Sequence, residues 1–108
     1  MNLKINTRKI KGVPVLEMKG EITKESLGKI TNKLETIKKK KVRAVIFDMS
    51  STNFIDSHGL GVFVHFWHEM TKQKKELIFL RPLGFVKQLL AETSLSRIFR
   101  IVDSEEEI

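Results

Sequence analysis

The residues able to do chemistry in this 108-residue chain concentrate in Phe54-Ile55-Asp56-Ser57-His58-Gly59-Leu60-Gly61. A serine hydroxyl stands between a carboxylate and an imidazole, and two glycines open a strongly apolar run. Ser57 reads as the N-cap of a helix, with Asp56 just before it. A helix start offers N–H groups without intrahelical partners and the positive end of the dipole, so it suits a phosphate. Gly59 and Gly61 remove side chains there. That either admits another molecule's backbone or lets the helix pack tightly on a sheet. The glycine pattern stops short of a dinucleotide fingerprint, because Val64 stands where the third glycine would be, and no Walker lysine follows. Neighbouring residues such as Ser57 and His58 seldom align as nucleophile and base, and no Gly-x-Ser-x-Gly elbow surrounds the serine. His65, His68 and Glu69 are near one another on a helix, but lack the His-Glu-x-x-His order and a third strong ligand. These patterns predict no enzyme, no metal site and no cofactor.

The elements that must position this segment follow from periodicity. Residues 3–10 and 13–19 read as two strands joined by Lys11-Gly12, with Gly20-Glu21 turning the chain. Thr23 is an N-cap candidate, and Leu27, Ile30, Leu34 and Ile37 form one stripe of an amphipathic helix. Lys38-Lys39-Lys40-Lys41 closes it, where cations suit the dipole. Residues 42–47 are nearly all apolar, as in a central strand covered on both faces. Residues 48–53 are a polar exit loop, and a helix follows from about His58 to Thr71.

Residues 76–80 form the next strand, and Pro82 lies near the start of a helix striped by Phe85, Val86, Leu89 and Leu90. Residues 98–102 are a last strand, and Ser104-x-x-Glu107 is a capping-box pattern that opens a short terminal helix. The order predicts one α/β domain over residues 1–108. Its mixed β-sheet has about five strands, the central ones parallel, covered by about four helices.

The helix after Ser57 is apolar over an arc of about 200°, wider than one sheet contact needs. Val62 and Phe66 lie at one edge of that arc and are expected to form an exposed docking face.

The net charge is +7, from 20 Lys and Arg against 13 Asp and Glu. Much of the positive charge sits in Lys38-Lys39-Lys40-Lys41 and in Lys72, Lys74 and Lys75, without interleaved aromatics. That is how solvated loops read, so no direct nucleic-acid partner is expected. Both clusters precede strands, whereas Ser57 follows one, which places them at opposite ends of a parallel sheet. With no cysteine, disulfides and thiol chemistry are excluded. No apolar run approaches a membrane span, and residues 1–6 have no signal-like apolar core, so the expected location is the cytoplasm.

The sequence resembles a bacterial anti-sigma factor antagonist of the STAS-domain family. The resemblance rests on Asp48-Met49-Ser50, Ile55-Asp56-Ser57-His58-Gly59-Leu60-Gly61-Val62, Gly20-Glu21-Ile22 and Leu95-Ser96-Arg97-Ile98-Phe99. It implies that Ser57 is phosphorylated by a partner that is both an anti-sigma factor and a serine kinase. The unmodified antagonist would bind that partner and release a sigma factor, and a PP2C-type phosphatase would reset the switch. Thr23, Asp56, Ser57, His58, Gly59, Leu60, Gly61, Val62 and Phe66 are then the expected partner-binding residues. Thr23 stands where the family often has an acid, and His58 where a small residue is usual. A second reading is therefore a STAS scaffold subunit of a stress-signalling or lipid-transport ABC complex that is never phosphorylated. The oligomeric state stays open.

Overall fold

The computed structural model describes residues 3–108. The part of the export-signal reading that rests on Met1 and Asn2 lies outside the described residues. Six strands and three α-helices follow in the order β1 (Lys4–Ile10), β2 (Val13–Ile22), α1 (Leu27–Lys38), β3 (Ala44–Asp48), β4 (Thr52–Ile55), α2 (Ser57–Lys72), β5 (Glu76–Leu80), α3 (Gly84–Glu92) and β6 (Arg100–Val102). Single 3-10 turns occupy Lys24–Ser26, Leu95–Arg97 and Glu105–Glu107. The expected terminal helix is the last of these turns. Glu107 does accept from the N–H groups of Asp103 (2.9 Å) and Ser104 (3.0 Å), but no helix develops beyond one turn. No helix of the described residues is long and apolar enough to cross a membrane.

The strands lie in the order β1-β2-β3-β5-β6, and β4 pairs with β2. Only β1 and β2 are antiparallel; every other pair is parallel. The long strand β2 serves two neighbours. Val15–Glu17 pairs with Ile46–Asp48, and Gly20–Ile22 pairs with β4. Gly20 therefore does not turn the chain, as its sequence context suggests. At φ +121° it lets β2 continue past an irregularity, and its N–H donates to Ser51 O at 3.0 Å.

Strand β4 was hidden in the predicted exit loop because it does not alternate. Gly20 faces Thr52 but Glu21 faces Phe54, so Asn53 is an extra residue on β4. Such a bulge shifts the inside–outside phase. Thr52 and Ile55 point inward, while Asn53 and Phe54 are exposed.

The sheet's two faces are covered differently. The buried residues of all three helices join Leu16, Met18, Val45, Phe47, Leu77 and Phe79 in one core. Its centre is aromatic, with the Phe47 ring 4.9 Å from Phe63 and 5.6 Å from Phe79 between centroids. The opposite face (Val13, Val15, Ile46, Ile78, Leu80, Val102) forms a second cluster against which Ile108 packs. The helices thus cover one face only. The terminal segment reaches across the other, held by Lys11 Nζ to Ile108 O (2.8 Å) and Arg100 Nη2 to Glu107 O (2.6 Å).

At the rim of that second face, Arg8 bonds Glu17 (2.7 Å) and Asp48 (3.1 Å). Burial pushes the Asp48 carboxyl up. The Ser50 hydroxyl and N–H together with Arg8 outweigh burial and hold it below the usual carboxylate range.

Candidate functional site

The second half of β2, strand β4 and the start of α2 converge on the carboxylate of Asp56. The N–H of Asp56 donates to Ile22 O at 3.0 Å, which fixes the turn from β4 into α2. Asp56 itself, with extended backbone (φ −92°, ψ 179°), is the N-cap of α2. This corrects the reading of Ser57 as the cap. Asp56 Oδ1 accepts from the Gly59 N–H at 2.9 Å, the bond a capping side chain makes to the third helical residue. Its Oδ2 accepts from the Lys24 N–H at 3.0 Å. One carboxylate therefore pins the start of α2 to the 3-10 turn that follows β2.

Ser57 is the first residue of α2 and is exposed, so its hydroxyl is left out of the cap. The groups around it are charged. His58 Nδ1 lies 3.6 Å from Asp56 Oδ2. The Thr23 hydroxyl donates to Glu25 at 2.9 Å, and Glu25 and Asp56 sense each other electrostatically. An acid is thus coupled to the Asp56 cap even though residue 23 is a threonine. The Gly59 N–H, then the Lys24 N–H and His58, lower the Asp56 pKa below the usual carboxylate range.

A carboxyl with a lowered folded-state pKa stabilises the fold above its unfolded value of about 3.9. That contribution is lost as the pH falls through the folded-state value. Asp56→Ala is expected to cost about 1 kcal/mol at neutral pH. The difference from the parent should shrink below about pH 4, a comparison that denaturation curves at pH 7 and pH 3 provide.

The two glycines of the segment differ. Gly59 is buried, and a Cβ there would sit 2.6 Å from Ile22 Cγ2 and 3.1 Å from Ile55 Cγ2. It is a packing glycine, and its burial against β2 and β4 removes it from any approach by a partner's backbone. Gly61 is exposed and meets nothing within 4 Å.

Phe66 is corrected as well. Expected on an exposed face, it is 2% exposed, because α1 lies alongside α2 and the ring packs 6.1 Å from Phe47. Leu60 and Val62 are half-buried against the same core. Val62 still borders a groove of about 280 Å³ between the two helices, whose walls include Leu27, Leu34, His58, Gly61 and His65.

One feature escaped the sequence reading. Phe85 belongs to the predicted apolar stripe of α3, yet it is 49% exposed and stacks on Phe54 at 5.3 Å with rings 17° apart. The bulge at Asn53 turns Phe54 outward to meet it. The lysine clusters, by contrast, meet where β3 and β5 begin, with Lys75 Nζ donating to Lys40 O at 3.1 Å. That is the end of the sheet opposite the strand ends from which α2 departs. Among the described residues, no three His, Asp or Glu side chains are grouped to hold a metal ion.

The family model for the STAS domain matches residues 4–108. The chain belongs to the STAS domain family. Among STAS relatives, the anti-sigma-B factor antagonist of Listeria monocytogenes is 29% identical over 89 residues, covering 82% of this chain and 78% of that protein. The anti-sigma F factor antagonist of Paenibacillus polymyxa is 24% identical over 106 residues, covering 97% and 91%. Among solved STAS folds, the unphosphorylated antagonist SpoIIAA superimposes with a TM-score of 0.73 at 19% identity, covering 98% of this chain and 92% of that one. SpoIIAA from Bacillus has also been solved in its phosphorylated form, with a TM-score of 0.73 at 19% identity over 98% of this chain and 96% of that one.

Proposed function

We propose that this STAS domain is an anti-sigma factor antagonist switched by phosphorylation of Ser57. The observation that carries the reading is an exposed serine at the first position of α2, directly after the Asp56 cap. The names of the Listeria and Paenibacillus relatives support it, as does the existence of SpoIIAA in two phosphorylation states.

In its unmodified form the protein binds a cytoplasmic anti-sigma factor with serine kinase activity, and the sigma factor is released. Thr23, Asp56, Ser57, His58, Leu60, Gly61 and Val62 contribute to that contact. Transfer of the γ-phosphoryl group of the kinase's ATP to Ser57 Oγ, with loss of the hydroxyl proton, ends the complex. A PP2C-type phosphatase restores it by hydrolysis. The protein is the substrate of these reactions and catalyses none of them.

Incubation with candidate anti-sigma kinases and ATP, followed by mass spectrometry of the peptide spanning residues 53–72, tests the reading. One phosphate on Ser57, absent from Ser57→Ala, is the expected outcome. The scaffold reading has Thr23 and His58 in its favour and expects no label under any kinase, with the partner retained in the presence of ATP.

A further inference from the structure

We propose that His58 is the internal counter-ion of a phosphate on Ser57, and that its protonation tempers the switch. The inference rests on the phosphoserine reading above. Both oxygens of Asp56 are already engaged, by the N–H groups of Gly59 (2.9 Å) and Lys24 (3.0 Å). His58 Nδ1, at 3.6 Å from Oδ2, is beyond hydrogen-bonding distance. The imidazole is therefore held near the helix start only by a long, ion-pair-range contact with Asp56, and its side chain is 53% exposed. It can swing to a neighbouring group at the loss of only that long contact.

Asp56 faces this imidazole from the cap, and Lys24 and Glu25 from the 3-10 turn are linked to the same carboxylate. Across the groove α1 presents Leu27 and Thr31, with Glu35 and Lys38 further along, and α2 adds His65. A phosphate of about −1.5 to −2 would be a third anion beside Asp56 and Glu25. An imidazole is the side chain that takes up a proton near neutral pH, and an opposite charge within about 4–6 Å favours its charged form.

Phosphorylation then draws a proton onto His58, and the charge presented to a partner is smaller by one. The effect is full below the raised His58 pKa and lost above it. The phosphate itself takes up a proton near pH 6, so the part of the weaker repulsion in mild acid that belongs to His58 is the part lost in the phosphorylated His58→Gln variant.

The test uses the full chain with phosphoserine installed at position 57 during translation, so that no kinase is needed. Histidine side-chain resonances are titrated by NMR in the modified and unmodified proteins, and the phosphate is followed by ³¹P. His58 is expected to gain about one pKa unit on modification, a tenfold rise in proton affinity, while His65 and His68 stay put. In the phosphorylated His58→Gln variant the phosphate's second pKa should rise relative to the phosphorylated parent. Equal His58 titration in the two forms, or equal shifts of all three histidines, overturns the proposal. A specific His58 shift in a protein that no kinase labels would sink the phosphoswitch reading, and with it the tempering of a switch, while leaving His58 as the counter-ion of an installed phosphate. The reverse pattern would sink this one alone.

Discussion

A phosphate on Ser57 is expected to weaken the complex with the proposed anti-sigma partner by about 30- to 300-fold, whereas Ser57→Ala should stay within about threefold of the parent. The fold has room for the group. Ser57 is exposed at the first turn of α2, where the helix dipole and the N–H groups of Ser57 and His58 favour negative charge. Asp56 beside it opposes the addition, but its own oxygens are held by Gly59 and Lys24, so the cap has no reason to yield.

The interface has no such allowance. A dianion carried into a protein–protein contact must be desolvated or paired, and neither is free when the partner is shaped for a hydroxyl. Ser57→Asp, with one charge on a shorter arm, should lose about tenfold. Calorimetric titration of the four forms against the partner checks the series. Equal affinity for the parent and the phosphorylated protein would remove the switch.

Gly59→Ala is expected to destabilise the fold by about 2 kcal/mol, roughly an 8–12 °C drop in Tm, while Gly61→Ala should stabilise it by up to about 1 kcal/mol. Both sit in the first turns of α2, where alanine is the better helix former. The sign is decided by what a Cβ meets. At Gly59 it would lie 2.6 Å from Ile22 Cγ2 and 3.3 Å from Ile22 O. Ile22 is fully buried, and its carbonyl accepts the Asp56 N–H. Relief would therefore push on the bond that sets the cap. At Gly61 the Cβ enters open space, so only the propensity gain remains. Thermal melts of the two variants decide the matter. A neutral Gly59→Ala would mean that β2 yields easily, and that the close approach of Gly59 to Ile22 does not hold the start of α2 in place.

Much of this architecture was legible because its signals are local. The stripe Ile30, Leu34, Ile37 and the continuous apolar run of β3 appear in the structure as read. What escaped depends on pairing between distant segments. Strand β4 has the burial pattern in-out-out-in, which no alternation rule detects, and it exists because the far half of β2 is there to receive it. Serine favours the cap position, so the sequence alone points to Ser57. Asp56 took it because its carboxylate can also reach Lys24, 32 residues away in sequence. The exposure of Phe85 and the burial of Phe66 likewise reflect neighbours, Phe54 for one and α1 for the other.

The supernumerary residue in β4 acts as a phase setter for everything after it. Were Asn53 instead drawn into the ladder, strict alternation would turn Phe54 under the helices and Ile55 to water. The aspartate and serine that follow would then fall one step behind β2, displaced by about 3.3 Å and rotated by half a pleat. A single asparagine that touches none of the chemistry thus keeps Asp56 and Ser57 in phase, and inserting a residue beside it should disturb the start of α2 more than excising it, which leaves Phe54 and Ile55 on their present sides.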